Sequence, residues 1–144
     1  MKINYFLALI YFFTSSALLA QDFEDVLIGI SSGKSITFNG NDCYFSQWNG
    51  GKILKININE TDPTPIQILG YSAERHYALI INGNDLYFTE QTNNRISKID
   101  ISETNPTSTV VVDGLSDPRG LAIKDNYLYI AEYDGDKISK IDIN

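Results

Sequence analysis

Residues 79–90 read Leu-Ile-Ile-Asn-Gly-Asn-Asp-Leu-Tyr-Phe-Thr-Glu, two short apolar runs on either side of an Asn-Gly turn signal. The same pattern recurs at residues 36–47 and 121–132. The tyrosines of the second run are Tyr44, Tyr87 and Tyr129, spaced by 43 and 42 residues. A period of this length that contains several short strands is typical of the blades of a β-propeller.

The first half of each repeat predicts a hairpin. The apolar runs at 36–38, 79–81 and 121–123 have the length of an inner strand, and we expect them to be buried on both sides. Asn39-Gly40-Asn41 and Asn82-Gly83-Asn84 predict hairpin turns, because Asn-Gly accepts the positive φ values that a type I′ turn requires. The second strand is then expected at 43–46, 86–89 and 128–131.

The second half of each repeat predicts two more strands. After a polar turn, a third strand alternates between apolar and polar residues at 52–58, 95–101 and 137–143. A fourth is expected at 66–69 and 109–112, after linkers in which proline lies just outside the sheet. The predicted fold is therefore all-β, a β-propeller of four-stranded antiparallel blades.

About three blades are expected, at residues 33–70, 76–113 and 118–144, with Val26–Ile30 as an orphan outer strand that completes the last blade of a closed ring. A single blade cannot bury both faces of its sheet, and rings generally close with four to eight blades. We therefore expect residues 21–144 to be half of a six-bladed ring and a piece of a longer protein. The alternatives are a homodimer that closes six blades and an open stack of three.

Two motifs carry a resemblance to known propellers. Leu86-Tyr-Phe-Thr-Glu90 followed by Arg95-Ile-Ser-Lys-Ile-Asp100 resembles the YWTD repeat of lipoprotein-receptor propellers and the NHL repeat. Asp117-Pro-Arg-Gly-Leu-Ala-Ile123 is similar to the entry of the inner strand in those families. The resemblance extends over residues 26–144 and implies a six-bladed propeller of the TolB-like group, used mostly for binding. A more distant resemblance is to the gluconolactonase/regucalcin family, whose members are metal-dependent enzymes.

The first twenty residues predict a secretory signal peptide, with a single membrane anchor as the alternative. Lys2 gives a positive start, Ile3–Phe13 is an apolar run too short to cross a bilayer comfortably, and small residues lead to Ala20. We expect a secreted mature chain without membrane insertion. The chain has 11 basic and 18 acidic residues and a net charge of −7, which argues against a nucleic-acid partner because phosphate binding needs a basic surface.

Individual polar residues mostly have structural interpretations. Cys43, the single cysteine, occupies a leucine position of the repeat and is expected to be a buried apolar residue. His76 is expected to be a solvated loop histidine. Gln47, Glu90 and Glu132 share one position at the end of the second strand, where we expect them to accept backbone N–H bonds from the following turn. No catalytic and no metal-ligating residue is predicted.

The candidate ligand-binding surface comes from the repeat register. In propellers, the loops that enter the inner strands share one face with the turns after the second strands. The predicted ligand-binding residues on this face are Lys34, Tyr77 and Arg119 from the first set and Trp48, Gln91 and Tyr133 from the second. Aromatic and basic residues around a channel mouth are suited to recognition.

Two functions follow from this reading. The first is a secreted binding or scaffold module that recognises a protein, peptide or glycan at the channel face, with no cofactor and no catalysis of its own. The alternative is a metal-dependent lactonase-, hydrolase- or lyase-like propeller enzyme whose ligands lie partly in missing blades. Ca²⁺ would be the ion of such a site, which needs oxygen ligands. Asp134-Gly135-Asp136 offers them, but Asp-Gly is first of all a turn signal.

Overall fold

The structure, a computed structural model, describes residues 24–70 and 73–144. These ranges contain eleven β-strands in three antiparallel sheets and no helix, and therefore no helix that could cross a membrane. Blade 1 comprises β1 (Gly33–Asn39), β2 (Asp42–Gln47), β3 (Lys52–Asn57) and β4 (Ile66–Leu69). Blade 2 comprises β5 (Leu79–Asn82), β6 (Asp85–Glu90), β7 (Arg95–Asp100) and β8 (Thr109–Val112). Blade 3 comprises β9 (Pro118–Lys124), β10 (Tyr127–Glu132) and β11 (Lys137–Asp142).

Each sheet keeps its strands in chain order, so every blade is a meander of hairpins. The all-β prediction and the three antiparallel blades are confirmed. The predicted signal peptide at 1–20 lies outside the described residues. The two fourth strands begin and end where the sequence predicted them, at 66–69 and 109–112.

The inner hairpins turn within the predicted Asn-Gly-Asn segments, but the type of turn differs. Asn82 pairs with Asp85, so the turn consists of Gly83 and Asn84. The φ angle is +61° at Gly83 and +58° at Gly40, whereas the residue after each glycine is not in the left-handed region. Glycine at the first of two turn residues is the type II′ arrangement. The type I′ prediction is wrong because strand pairing extends through the asparagine.

The blades pack face to face through the same repeat positions. Between blades 1 and 2 the buried residues are Tyr44 and Ile53 from blade 1 and Leu79, Leu86, Phe88 and Ile99 from blade 2. Between blades 2 and 3 they are Tyr87 and Ile96 from blade 2 and Leu128 and Ile130 from blade 3. We call the side of a blade that presents the Tyr and Ile its trailing face, and the opposite side its leading face. Each blade therefore covers the leading face of the next one.

The leading face of blade 1 is open, which corrects the prediction for its inner strand. Ile36 and Phe38 are 62% and 52% exposed, although we expected residues 36–38 to be buried on both sides. No blade precedes blade 1 in the described chain, so only Leu27 packs from that side, on the cluster of Cys43, Phe45 and Ile56. Residues 26–30 form no strand, so the predicted orphan outer strand is not present in the described chain.

Candidate functional site

One hydrogen bond, repeated in all three blades, brings two sets of loops to a single face. The N–H of the residue after the second strand donates to a carbonyl in the segment that enters the inner strand. The three bonds are Trp48 N to Ser32 O at 3.0 Å, Gln91 N to Arg75 O at 3.1 Å and Tyr133 N to Asp117 O at 3.0 Å. The predicted ligand-binding residues are therefore all carried by this face.

Five of the six predicted residues form a continuous row. The Lys34 Nζ lies 4.4 Å from the centre of the Trp48 ring, and that ring meets Tyr77 edge-on at a centroid distance of 5.0 Å. The Arg119 guanidinium carbon lies 5.1 Å from the Tyr77 centroid and 3.6 Å from that of Tyr133. Cations over aromatic faces are attracted by the ring quadrupole. We call these five side chains the aromatic–cation row; it crosses blades 1, 2 and 3.

Arg75 belongs beside the row, and sequence reasoning missed it. Its guanidinium carbon lies 4.9 Å from the centre of the Trp48 ring, on a residue of the preceding blade. The equivalent positions of the other repeats are Ser32 and Asp117, so no repeated basic residue marked the site. The one available signal was its place in the chain, since Arg75 lies in the same loop as the predicted residue Tyr77.

Gln91, the sixth predicted residue, does not join the row. It lines a neighbouring open groove of about 380 Å³ together with Arg75, Asn94, Asp117 and Asp134. Within the described residues, the Gln91 Oε1 and the Asp117 Oδ1 are buried and have no hydrogen-bond partner. Two oxygens of residues that line the groove are therefore enclosed, with their hydrogen-bonding capacity unused in the described chain.

Asp117 fixes the arginine of the row. Its Oδ2 accepts hydrogen bonds from Arg119 Nε at 2.9 Å and Nη2 at 2.5 Å, and this contact with the carboxylate raises the pKa of Arg119. The Asp117 N–H donates to Asn94 Oδ1 of blade 2 at 2.8 Å. With the carboxylate on one side, the guanidinium is held between the rings of Tyr77 and Tyr133.

Glu90 and Glu132 end the second strands of blades 2 and 3, next to this face. Their hydrogen-bond partners differ from those predicted. Glu90 binds Arg95 of the third strand, with its Oε2 2.8 Å from Nε and 2.5 Å from Nη2. Glu132 accepts the N–H of Ser116 at 2.8 Å and the hydroxyl of Ser139. The expected backbone donors of the following turn are not the ones used.

The same contacts decide the charge state of both carboxyl groups. Burial raises the pKa of Glu90, but hydrogen bonds from Arg95 and its neighbours outweigh it, so the net pKa lies below the ordinary value. In Glu132 the opposing effects are burial and the hydrogen bonds from Ser139 and Ser116, and the net pKa is also lowered. Both groups are therefore held as carboxylates, which suits a role in fixing loop shape.

His76 is buried, so the expectation of a solvated loop histidine is wrong. Its side chain is 1% exposed and lies edge-on to Phe88 at 5.0 Å. The Nδ1 faces the carbonyl of Thr89 at 2.8 Å and the Nε2 faces the carbonyl of Gly51 in blade 1 at 3.1 Å. The His76 carbonyl also accepts a bond of 2.9 Å from the Ser46 hydroxyl of blade 1. His76 is thus a cross-link between two blades.

Cys43 is buried as predicted, and burial raises the pKa of its thiol. Among the described residues, no group of three or more His, Cys, Asp and Glu side chains is arranged to hold a metal ion. The inner strands β1, β5 and β9 contain no Asp, Glu or His.

Comparisons with known proteins agree with a partial propeller. No family model and no curated protein matches the sequence. A chain in the crystal structure of the nidogen/laminin complex has the same fold, with a TM-score of 0.68 and 18% identity over 79% of this chain and 45% of that one. Virginiamycin B lyase from Staphylococcus aureus gives a TM-score of 0.62 and 19% identity over 79% and 39% of the chains. A streptogramin B lyase structure gives 0.62 and 21% over 79% and 39%.

The chain therefore spans less than half the length of these propellers. At this level of identity the likeness shows the fold and leaves function to be argued from the site. The more specific assignment to six blades and to the TolB-like group, with its NHL and YWTD repeats, stays a prediction.

Proposed function

We propose that this chain is a binding module of a secreted β-propeller, without catalysis of its own, and that it recognises an acidic protein or peptide segment at the aromatic–cation row. The observation that carries the proposal is the unbroken contact from Lys34 to Tyr133 across three blades. Trp, Tyr and Arg are the residues enriched at the energetic centres of protein interfaces. Here one face gathers all three types.

Charge selects the ligand chemistry. The chain has a net charge of −7, yet the row and its neighbour bring together Lys34, Arg75 and Arg119. Nε and Nη2 of Arg119 already bind Asp117, so the donors offered to an acidic ligand are Lys34 and the guanidinium of Arg75 that lies over Trp48. Pairs between a guanidinium and a carboxylate are directional.

A glycan fits the row less well. Sugar rings are recognised by aromatic faces, but cations already lie over the faces of Trp48 and Tyr133. A sugar would have to displace them, whereas a carboxylate can bind without disturbing the stack. The nidogen/laminin neighbour is a propeller fold in a protein–protein complex, which supports this choice by analogy only.

The test is selection of a displayed random-peptide library on residues 21–144. We expect enrichment of peptides rich in Asp and Glu. For a selected acidic peptide, Tyr77→Ala or Trp48→Ala should weaken binding by about 30-fold, the loss typical of an interface hot spot. Tyr127→Ala is the matched control, because Tyr127 also stacks under a lysine but lies at the opposite end of β10. Unchanged affinity in Tyr77→Ala and Trp48→Ala would contradict the proposal.

A metal-dependent enzyme has less support in the residues present, since the inner strands that face a propeller channel contribute no carboxylate or histidine. Titration with calcium by calorimetry separates the two functions. Tight stoichiometric binding would favour the enzyme, and no heat of binding is expected for the module.

A further inference from the structure

The ring of His76 lies between the two loops that carry Trp48 and Tyr77 of the aromatic–cation row. Its Nε2 faces the carbonyl of Gly51 at 3.1 Å, and Gly51 ends the turn that begins at Trp48. The residues on either side of His76 are Arg75 and Tyr77, whose side chains contact the Trp48 ring. The imidazole therefore bridges the Trp48 turn of blade 1 and the loop of blade 2 that meets it.

Both ring nitrogens of His76 face carbonyl oxygens. The Nδ1 lies 2.8 Å from the carbonyl of Thr89, on the second strand of its own blade, and the Nε2 makes the longer contact with Gly51. A neutral imidazole has one N–H donor, whereas the imidazolium has two. Because a neutral ring would keep its N–H on the nearer carbonyl, the link to the Trp48 turn depends on a second proton.

The charged groups near the ring act in both directions. A groove of about 360 Å³ beside it is lined by two carboxyl groups and one guanidinium, those of Glu74, Glu90 and Arg95. From blade 1 the contacts come from Ser46 and Gly51, which are uncharged. Two further cations are close in the chain: Lys52 follows Gly51, and Arg75 lies over Trp48. Burial of the ring opposes a positive charge, whereas the two carbonyls and the two carboxyl groups favour it.

We propose that His76 is a positioning residue of the aromatic–cation row and acts as an imidazolium. With a proton on each ring nitrogen it holds the Trp48 turn against Arg75 and Tyr77, and loss of one proton releases that turn. This rests on the proposed function, since the row is taken as the binding surface. His76 is the single histidine of the chain, and histidine ordinarily changes charge between pH 5 and 8. Binding of an acidic ligand should therefore strengthen as the pH falls through this range.

The measurement is the affinity of a selected acidic peptide for residues 21–144 at pH 8 and at pH 5.5. The fluorescence emission of Trp48, the single tryptophan, is recorded at each pH without peptide. Asp and Glu side chains of a peptide stay largely ionised over this range. We expect about 10-fold tighter binding at pH 5.5, the effect of one hydrogen bond from a charged donor. The emission maximum should also lie at shorter wavelength, because the Trp48 ring is then held against its neighbours.

Two variants separate the proton from the contact. His76→Gln removes the titrating ring but keeps an amide donor in place of Nε2, so both readouts should become independent of pH. Ser46→Ala is the matched control. It removes a second bond between the same two loops, from the Ser46 hydroxyl to the His76 carbonyl, and leaves the ring in place. Its affinity should fall at both pH values and keep the ratio between them.

Equal affinity and an unchanged emission maximum at the two pH values would overturn the role of His76, and so would a pH dependence that survives His76→Gln. Failure of the proposed function gives a different result, in which no acidic peptide binds at either pH. The emission of Trp48 in the peptide-free, unmodified chain then still tests whether the turn is held by the protonated ring.

Discussion

Blades 2 and 3 are built from the same repeat, but equivalent residues in them are buried to different extents. Ile96 and Ile138 occupy one position in consecutive repeats, with the same flanking Ser-Lys-Ile-Asp sequence. Ile96 is fully buried and Ile138 is 69% exposed. The difference is the presence of a following blade. Strand formation is thus a property of each repeat, whereas burial, and most of the stabilisation it gives, is a property of a pair of repeats.

The largest predicted change in stability comes from truncating the two equivalent isoleucines, Ile96 and Ile138. Ile96→Ala is expected to lower the free energy of unfolding by about 2–5 kcal/mol, because it leaves a cavity between blades 2 and 3. Ile138→Ala should cost less than about 0.5 kcal/mol at a concentration where the chain is monomeric. Urea denaturation measures both. Equal losses would show that burial does not distinguish the two blades.

A smaller effect should distinguish the two interfaces from each other. Blade 1 is tied to blade 2 through the buried ring of His76, whereas blade 2 is tied to blade 3 through exposed Asn94. His76→Phe should cost about 1–3 kcal/mol, because it preserves an aromatic ring but removes the imidazole hydrogen bond to a buried carbonyl.

Asn94→Gly is the comparison variant. It removes the bond to the Asp117 N–H, but glycine suits the φ of +54° found at this position. It should therefore cost clearly less than His76→Phe in the same urea experiment. A larger loss of unfolding free energy in Asn94→Gly would show that the Asn94 hydrogen bond stabilises the protein more than the His76 ring does.

The smallest effect concerns acid, and it separates blade 1 from the other two. Glu90 and Glu132 have pKa values below the ordinary 4.5, whereas blade 1 carries Gln47 at this position. A carboxyl with a lowered folded pKa contributes stability that is complete above its unfolded pKa and is lost as the pH falls through the folded value. Stability should therefore decline below about pH 4.5, by a mechanism confined to blades 2 and 3.

Glu90→Gln should flatten this decline, because the amide does not titrate. The exposed Glu60→Gln is the control and should leave the slope unchanged. Unfolding midpoints measured in urea from pH 6 downward test this. An identical acid slope in Glu90→Gln and the unmodified chain would contradict the assignment.

Much of the fold was predictable because the signals are local. Alternation and turn residues located the strands, and four-residue fourth strands were predicted to the residue at 66–69 and 109–112. The exposure of Ile36 was not predictable from its apolar run, because burial depends on a neighbouring sheet. His76 was misjudged for the same reason: its two carbonyl partners lie 13 and 25 residues away along the chain.

The candidate site was predictable to the extent that it repeats. Lys34, Tyr77 and Arg119 share one register position, and Trp48 and Tyr133 share another, so the repeat brought them to one face. Arg75 was missed because its counterparts in the other repeats, Ser32 and Asp117, are not basic. Gln91 repeats in position but not in chemistry, since an amide has no ring to stack.

The covering and covered halves of each interface lie within a single repeat of about 42 residues. Duplication or loss of one repeat by recombination would therefore add or remove a blade without creating a mismatched interface. The angle between successive sheets would then depend on side-chain volume at interface positions such as Tyr87 and Ile96, which pack against the next blade.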